Sequence, residues 1–129
     1  MADLILQTAD WKAEKHVPVI DAPDKIKKGE IVKVEIKVGK EIPHPNTAEH
    51  HIKSIEVYFL VPGEKFPIQV ARFEFNTHGE SVKGPNTSTV YSEPEAVTFF
   101  RTERSGAVLA ISYCNIHGVW KNTKDIEVE

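Results

Sequence analysis

The only cysteine of this chain lies three residues before a histidine, in segment 112–118. That spacing lets one tight loop present the Cys114 thiolate and the His117 imidazole to the same metal ion. Four of the other five histidines lie in two compact segments, 14–18 and 44–51. A metal centre is therefore the first hypothesis for what this sequence does.

Apolar residues alternate with polar ones through most of the chain, which is typical of half-buried β-strands. We predict strands at 32–38, 55–61, 70–75, 96–101, 107–113 and 126–128. Eight prolines and seven glycines separate these segments, and no window of helical length carries a 3.6-residue apolar stripe. This pattern favours an all-β antiparallel sandwich or barrel, and of these we predict an immunoglobulin-like β-sandwich.

Length, charge and cysteine content narrow the class of protein. A chain of 129 residues suits a single domain, here 1–129, with a core that needs no disulfides. The net charge is -3, and the longest basic run is the pair Lys27-Lys28. Both observations argue against binding to nucleic acid. No stretch approaches the roughly 20 apolar residues of a membrane span, and we expect no signal peptide. One cysteine cannot form an intrachain disulfide, so we expect a reduced, cytoplasmic thiol.

The histidine segments fall in loops or at strand ends, where ligands can be held. His44 lies between Pro43 and Pro45, whose fixed φ angles stiffen the backbone. His50 follows a turn-prone pair at 46–47 that can bring the chain back toward the same point. We therefore expect three segments to converge at one end of a sandwich: the one with His44 and His50, the one with His16, and the end of strand 107–113.

The donor types leave several metals open. Structural zinc prefers a closed tetrahedron, which five or more donors would overfill. A blue-copper carrier also places a cysteine and a histidine in one C-terminal loop of a β-sandwich, although it usually adds an axial methionine and the only methionine here is Met1. Because glutamine or a carbonyl can replace that methionine, copper stays open. A non-enzymatic sandwich with a structural metal is the third alternative.

Three motifs in order carry a resemblance to a known family. They are Glu14-Lys15-His16-Val17-Pro18, His44-Pro45-Asn46-x-x-x-His50 and Cys114-Asn115-x-His117-Gly118. Together they resemble superoxide reductase in the one-iron neelaredoxin form, which is related to desulfoferrodoxin, and the resemblance runs along nearly the whole chain. The four-cysteine iron site of longer desulfoferrodoxins has no counterpart in this sequence.

The resemblance implies one non-haem iron per chain, cycling between Fe2+ and Fe3+. Its implied equatorial ligands are four imidazoles, those of His16, His44, His50 and His117. The implied axial ligand is Cys114. Glu14 would take the sixth position in the oxidised state, and Lys15 would be the cation beside the open site.

The implied reaction is the one-electron reduction of superoxide to hydrogen peroxide without release of dioxygen. Since no second cofactor motif is visible, the resemblance also implies an external donor, rubredoxin or a similar small electron carrier. It further implies a homo-oligomer, with a tetramer favoured over a dimer.

Four other residues receive structural interpretations. His51 follows a predicted ligand and points the opposite way in extended chain, so we predict that it either packs in the core or supports the ligands from behind. His78, beside Gly79, is interpreted as a turn residue. Trp11 and Trp120 flank ligand segments and are predicted either to wall the site or to pack in the core.

Overall fold

The structure, a computed structural model, describes residues 6–129 and consists of eight β-strands in two sheets. The strands are β1 (Pro18–Asp21), β2 (Lys25–Ile26), β3 (Ile31–Val38), β4 (Ile52–Leu60), β5 (Ile68–Glu74), β6 (Glu95–Arg101), β7 (Gly106–Cys114) and β8 (Gly118–Val128). The predicted all-β, immunoglobulin-like sandwich is confirmed. No helix long and apolar enough to cross a membrane occurs in the described residues.

The two sheets differ in size and pack face to face. One has three strands in the order β1-β3-β6, and the other has five in the order β2-β8-β7-β4-β5. Every pairing is antiparallel except that of the two-residue β2 with the end of β8. The sandwich is thus antiparallel as predicted, with one short parallel exception.

Alternation along the strands explains the core. On β3, the even-numbered residues from Val32 to Val38 are buried while Ile31 and Lys33 are exposed. On β7, the inward face runs through Val108, Ala110 and Ser112, all without exposed surface, and ends at Cys114. The strand therefore delivers its thiol from the core side to the end of the sandwich.

Candidate metal centre

Four histidine rings form a near-square at one end of the sandwich. Neighbouring ring centroids are separated by 4.8 Å for His16 and His44, 4.7 Å for His44 and His50, 5.0 Å for His50 and His117, and 4.8 Å for His117 and His16. The diagonal from His16 to His50 is 6.4 Å. Three distant segments of the chain are thus brought together, as the sequence predicts.

The nitrogen atoms that face the centre of this square have the spacing of metal ligands. Nδ1 of His117 is 3.1 Å from Nε2 of His16 and 3.2 Å from Nε2 of His50. Metal–imidazole bonds of about 2.1 Å, as in zinc proteins, place nitrogens at right angles about 3 Å apart. Donor atoms of His16, His50, Cys114 and His117 all lie within 4.8 Å of one another. These four side chains are a group that could hold a metal ion.

The hairpin between β7 and β8 presents the sulfur and its neighbouring imidazole. Cys114 ends β7 and pairs across the hairpin with Gly118, whose φ of +78° suits a residue without a side chain. The backbone N–H of His117 donates to Sγ of Cys114 at 3.3 Å, and Nδ1 of His117 lies 3.9 Å from that sulfur. Cys114 is fully buried, whereas His117 is exposed, so the hairpin links the core to the surface.

His44 is prepared to act as a ligand through its second nitrogen. Its Nδ1 lies 2.7 Å from the carbonyl oxygen of Pro45, a contact that requires Nδ1 to carry the proton and donate. Nε2 is then left with a lone pair, and it is buried without a hydrogen-bond partner. A buried nitrogen without a hydrogen-bond partner costs free energy. Its position beside three other donors is what a metal ligand would require.

Gly39 has no side chain, which allows the backbone of His44 to lie directly against it. A Cβ atom at this position would lie 2.7 Å from the backbone nitrogen of His44, and the φ of +82° is itself unfavourable for other residues.

We predict that Gly39→Ala lowers metal affinity, because the added methyl group displaces the backbone of His44. Gly63→Ala is the matched control, since Gly63 has a φ of +84° but a methyl group added there would meet no atom within 4 Å. Both substitutions should cost about 1–2 kcal/mol of unfolding free energy through the positive φ. Only Gly39→Ala should also reduce metal bound per chain after dialysis. Equal metal content in the two variants would contradict this role.

His16 is fixed on three sides. Its Nδ1 lies 2.8 Å from a carboxylate oxygen of Glu14, which also accepts its backbone N–H. Its carbonyl oxygen accepts the hydroxyl of Ser112 at 2.8 Å, and its ring stacks on Trp120 with centroids 4.8 Å apart. Trp120 therefore walls the site, which was one of the two predicted roles. Trp11 instead lies against the ammonium groups of two lysines.

Glu14 lies at the outer nitrogen of His16 and outside the group of converging donor atoms. Carboxylates in this position commonly orient a ligating imidazole and set its tautomer. Coordination by Glu14 would require the carboxylate to leave Nδ1 of His16, so its predicted place as a sixth ligand stays a prediction.

Burial keeps three of the imidazoles neutral at physiological pH. It lowers the pKa of His44 to about 4, against the opposing hydrogen bond to Pro45. Burial also lowers the pKa of His16, opposed by Glu14, and the pKa of His50, with help from His117. Since only neutral imidazole binds a metal, the site is ready to accept one near pH 7.

Lys15 adds a small electrostatic effect at three of the imidazoles. Burial is the main cause that lowers the pKa of His16, His44 and His50, and the positive charge of Lys15 lowers each pKa a little further. Its place beside the open site stays a prediction.

Sequence reasoning missed the hydrogen bonds that join the ligand loops. The side chain of Asn115 accepts the N–H of His51 at 2.8 Å and donates to the carbonyl of Glu49 at 2.8 Å. The backbone N–H of Asn115 also donates to the carbonyl of His51. Asn115 lies inside the Cys-x-x-His segment, a position that could have drawn attention to it.

His51 and His78 form a buried stack behind the site. Their ring centroids are 3.4 Å apart and their planes differ by 7°. The packing role predicted for His51 agrees with this position. The turn interpretation of His78 is incomplete, because this residue is buried and forms a bridge with Tyr91. Burial, and next the neighbouring His51, lowers the pKa of His78.

A β-sandwich with four imidazoles and a buried cysteine sulfur around one point has the donor set of a mixed histidine–cysteine metal centre. The family model described as Desulfoferrodoxin matches residues 8–123. The chain belongs to the desulfoferrodoxin family, as its motifs predict.

Named relatives cover almost the whole chain. The superoxide reductase of Pyrococcus furiosus is 57% identical over 95% of this chain and 96% of its own length. The neelaredoxin of Megalodesulfovibrio gigas is 44% identical over 100% of this chain and 98% of its own. The solved structure of the reduced superoxide reductase (neelaredoxin) from Archaeoglobus fulgidus is 56% identical, has a TM-score of 0.86, and is matched over 95% of this chain and 98% of that one.

Proposed function

We propose that this protein is a superoxide reductase, an oxidoreductase that converts superoxide to hydrogen peroxide at a single non-haem iron. The observation that carries this proposal is the convergence of four imidazoles and one buried cysteine sulfur, including the Nε2 of His44 that has no hydrogen-bond partner. Relatives named for this activity match the chain over nearly its full length. The donor set fits iron, because imidazole and thiolate together suit this metal.

The residues proposed to hold the iron are the four histidines and Cys114. His16 and His44 would use Nε2, since their Nδ1 atoms are hydrogen-bonded to other groups. His50 would also use Nε2, which lies 3.2 Å from Nδ1 of His117. His117 would use Nδ1, the atom that faces the other donors. When bound, iron would supply the single electron that superoxide accepts, cycling between Fe2+ and Fe3+.

The balanced reaction consumes one superoxide, one electron and two protons for each hydrogen peroxide formed. Lys15 attracts the anionic substrate toward the imidazole square and helps to hold a water that delivers protons. Trp120 shields one face of His16 from water, and Glu14 holds the outer nitrogen of that ring.

We predict that Lys15→Ala slows the bimolecular reaction with superoxide by roughly 10-fold at low ionic strength, because electrostatic steering of this kind raises on-rates by 10-fold or more. The dependence of the rate on salt should also become flatter. Lys28→Ala, which removes the same charge from an exposed position between β2 and β3, is the control and should react like the wild type. An unchanged rate and salt slope in Lys15→Ala would contradict the steering role.

Each turnover consumes one electron, and a single iron can store only one. Because one group of potential metal ligands is found in the described residues, the next electron must come from outside the chain. We propose rubredoxin or a similar small one-electron carrier as the donor. The exposed His117 and Ile116, in the same loop as Cys114, support docking on this side of the centre.

We also propose that the protein is a homo-oligomer. We propose a cytoplasmic location as well, in keeping with the unpaired thiol of Cys114.

The stoichiometry of products tests the reductase activity. With a continuous electron supply, the iron-loaded protein should form one hydrogen peroxide for each superoxide consumed and release no dioxygen. Half a hydrogen peroxide for each superoxide, with dioxygen released, would identify dismutation instead. A copper carrier or a structural metal site would leave superoxide decay at its uncatalysed rate.

A further inference from the structure

The segment between β5 and β6 provides none of the proposed ligands, but it contacts the loop that carries His50. Its backbone is folded around Gly79, whose carbonyl oxygen accepts the N–H groups of Thr87 at 2.9 Å and Ser88 at 3.0 Å. The neighbouring Asn86 passes so close that a Cβ atom added to Gly79 would lie 3.3 Å from its Cα. Gly79 and the turn around it therefore fix the position of Asn86.

Asn86 makes three hydrogen bonds to the ligand loop through one side-chain amide. Its Oδ1 accepts the N–H of Ala48 at 2.9 Å, and its Nδ2 donates to both carboxylate oxygens of Glu49, at 2.9 and 2.8 Å. Its φ of +59° lies in the left-handed region, which asparagine adopts more readily than most residues. An amide is therefore held where it can anchor the two residues that precede His50.

Asn115 holds the same stretch from the hairpin between β7 and β8. Its Nδ2 donates to the carbonyl oxygen of Glu49 at 2.8 Å, and its Oδ1 accepts the N–H of His51 at 2.8 Å. Its backbone N–H also donates to the carbonyl oxygen of His51 at 3.2 Å. Together, Asn86 and Asn115 therefore anchor the chain before and after His50, and they do so from two separate segments.

His50 depends on such anchors more than two of the other histidines do. The rings of His16 and His44 are buried. Their Nδ1 atoms are also held, by a carboxylate oxygen of Glu14 and by the carbonyl oxygen of Pro45. His50 is only half-buried, and in the described part of the chain its ring has no hydrogen bond outside the square of imidazoles. Its orientation therefore depends on the backbone that carries it, because neither full burial nor a partner of the ring fixes it.

We propose that Asn86 and Asn115 are positioning residues that hold the peptide groups around His50 and thereby set how slowly the centre releases its metal. The inference rests on the proposed iron site, and it gives the segment between β5 and β6 a part in that site although the segment contributes no ligand. Loss of either anchor lets the backbone of His50 shift, and a ligand that is displaced for part of the time holds a metal less tightly.

Transfer of iron from the full-length, iron-loaded protein to the iron(II) chelator ferrozine measures this role without superoxide. Asn86→Gly removes the amide but permits the left-handed backbone, so it should release iron roughly 10-fold faster than the wild type. Asn115→Ala should accelerate release by roughly 10-fold or more, because it loses contacts on both sides of His50. Asn76→Gly is the matched control, since Asn76 is an exposed asparagine of the same segment that makes none of these contacts, and it should release iron at the wild-type rate.

An exchange of donor and acceptor separates positioning from a general loss of stability. Asn86→Asp keeps the acceptor for Ala48 but sets a carboxylate against that of Glu49, so iron release should be roughly 3-fold faster. Adding Glu49→Gln to it returns a donor and an acceptor to this contact and should restore the rate to near that of the wild type. A fold that was merely weakened would not be repaired by this second substitution.

Three outcomes decide between the possibilities. Iron release at the wild-type rate from Asn86→Gly or from Asn115→Ala, or an exchange variant that releases iron as fast as Asn86→Asp does, would overturn the proposal. A wild type that bound no iron would overturn both this role and the proposed function. A wild type that retained iron but did not reduce superoxide would overturn only the proposed function, so the two can fail independently.

Discussion

Replacing Cys114 with serine should abolish the visible sulfur-to-iron absorption band and lower superoxide reduction by roughly 100-fold or more. Hydrogen-bond partners of metal ligands alone commonly contribute 10- to 100-fold to affinity or activity, and a ligand should contribute at least as much. A serine hydroxyl stays protonated near neutral pH, so it cannot replace the anionic thiolate. Absorption spectroscopy of the oxidised protein and the rate of superoxide decay measure the two effects.

Ile116→Ser is the control for this substitution. It adds the same hydroxyl group to the same loop at an exposed side chain that contributes no donor atom. It should retain the absorption band and bind iron as the wild type does. A Cys114→Ser protein that kept both the band and the activity would remove Cys114 from the site.

Replacing His50 with alanine should lower iron affinity by roughly 10- to 100-fold or more, because one of the converging nitrogens is lost. The neighbouring His51 provides a matched comparison, since its ring points away from the donors and stacks on His78. His51→Ala should keep its iron but lose about 1–2 kcal/mol of unfolding free energy with the stacking and the hydrogen bond to Thr47. Metal analysis and denaturant unfolding distinguish the two variants.

The comparison between His50 and His51 also tests which of these two adjacent side chains faces the other donors. If His51→Ala lost its iron and His50→Ala retained it, the assignment of the two adjacent histidines would be reversed. Similar iron contents in both variants would contradict a direct role for either residue.

The strands that alternate cleanly could be predicted from the sequence, and those formed through tertiary pairing could not. The predicted strand at 32–38 corresponds to β3, and the one at 107–113 to β7, each within one residue at either end. β8 begins at Gly118, eight residues before the predicted strand, because its first part lacks alternation and is held by pairing with β7. β1 and β2 were not predicted, since segments of four and two residues carry too little pattern.

The candidate site was predictable as a set of donors but not as an arrangement. Cys114 and His117 are close in sequence, and their relation follows from the hairpin that joins β7 to β8. The position of His44 depends on Gly39, which allows a close backbone approach that no periodicity reveals. The contact between Glu14 and His16 was likewise not predicted, because the sequence pointed to Glu14 only as a sixth ligand.

Metal content and the visible spectrum, measured together on protein from iron-replete cells, test the central claim most directly. We predict one iron per chain and an absorption band in the oxidised protein that bleaches on reduction. Added superoxide should restore the band in proportion to the amount consumed. Copper with an intense blue band, or zinc with no visible band, would contradict the assignment and leave Glu14 and Lys15 without their proposed roles.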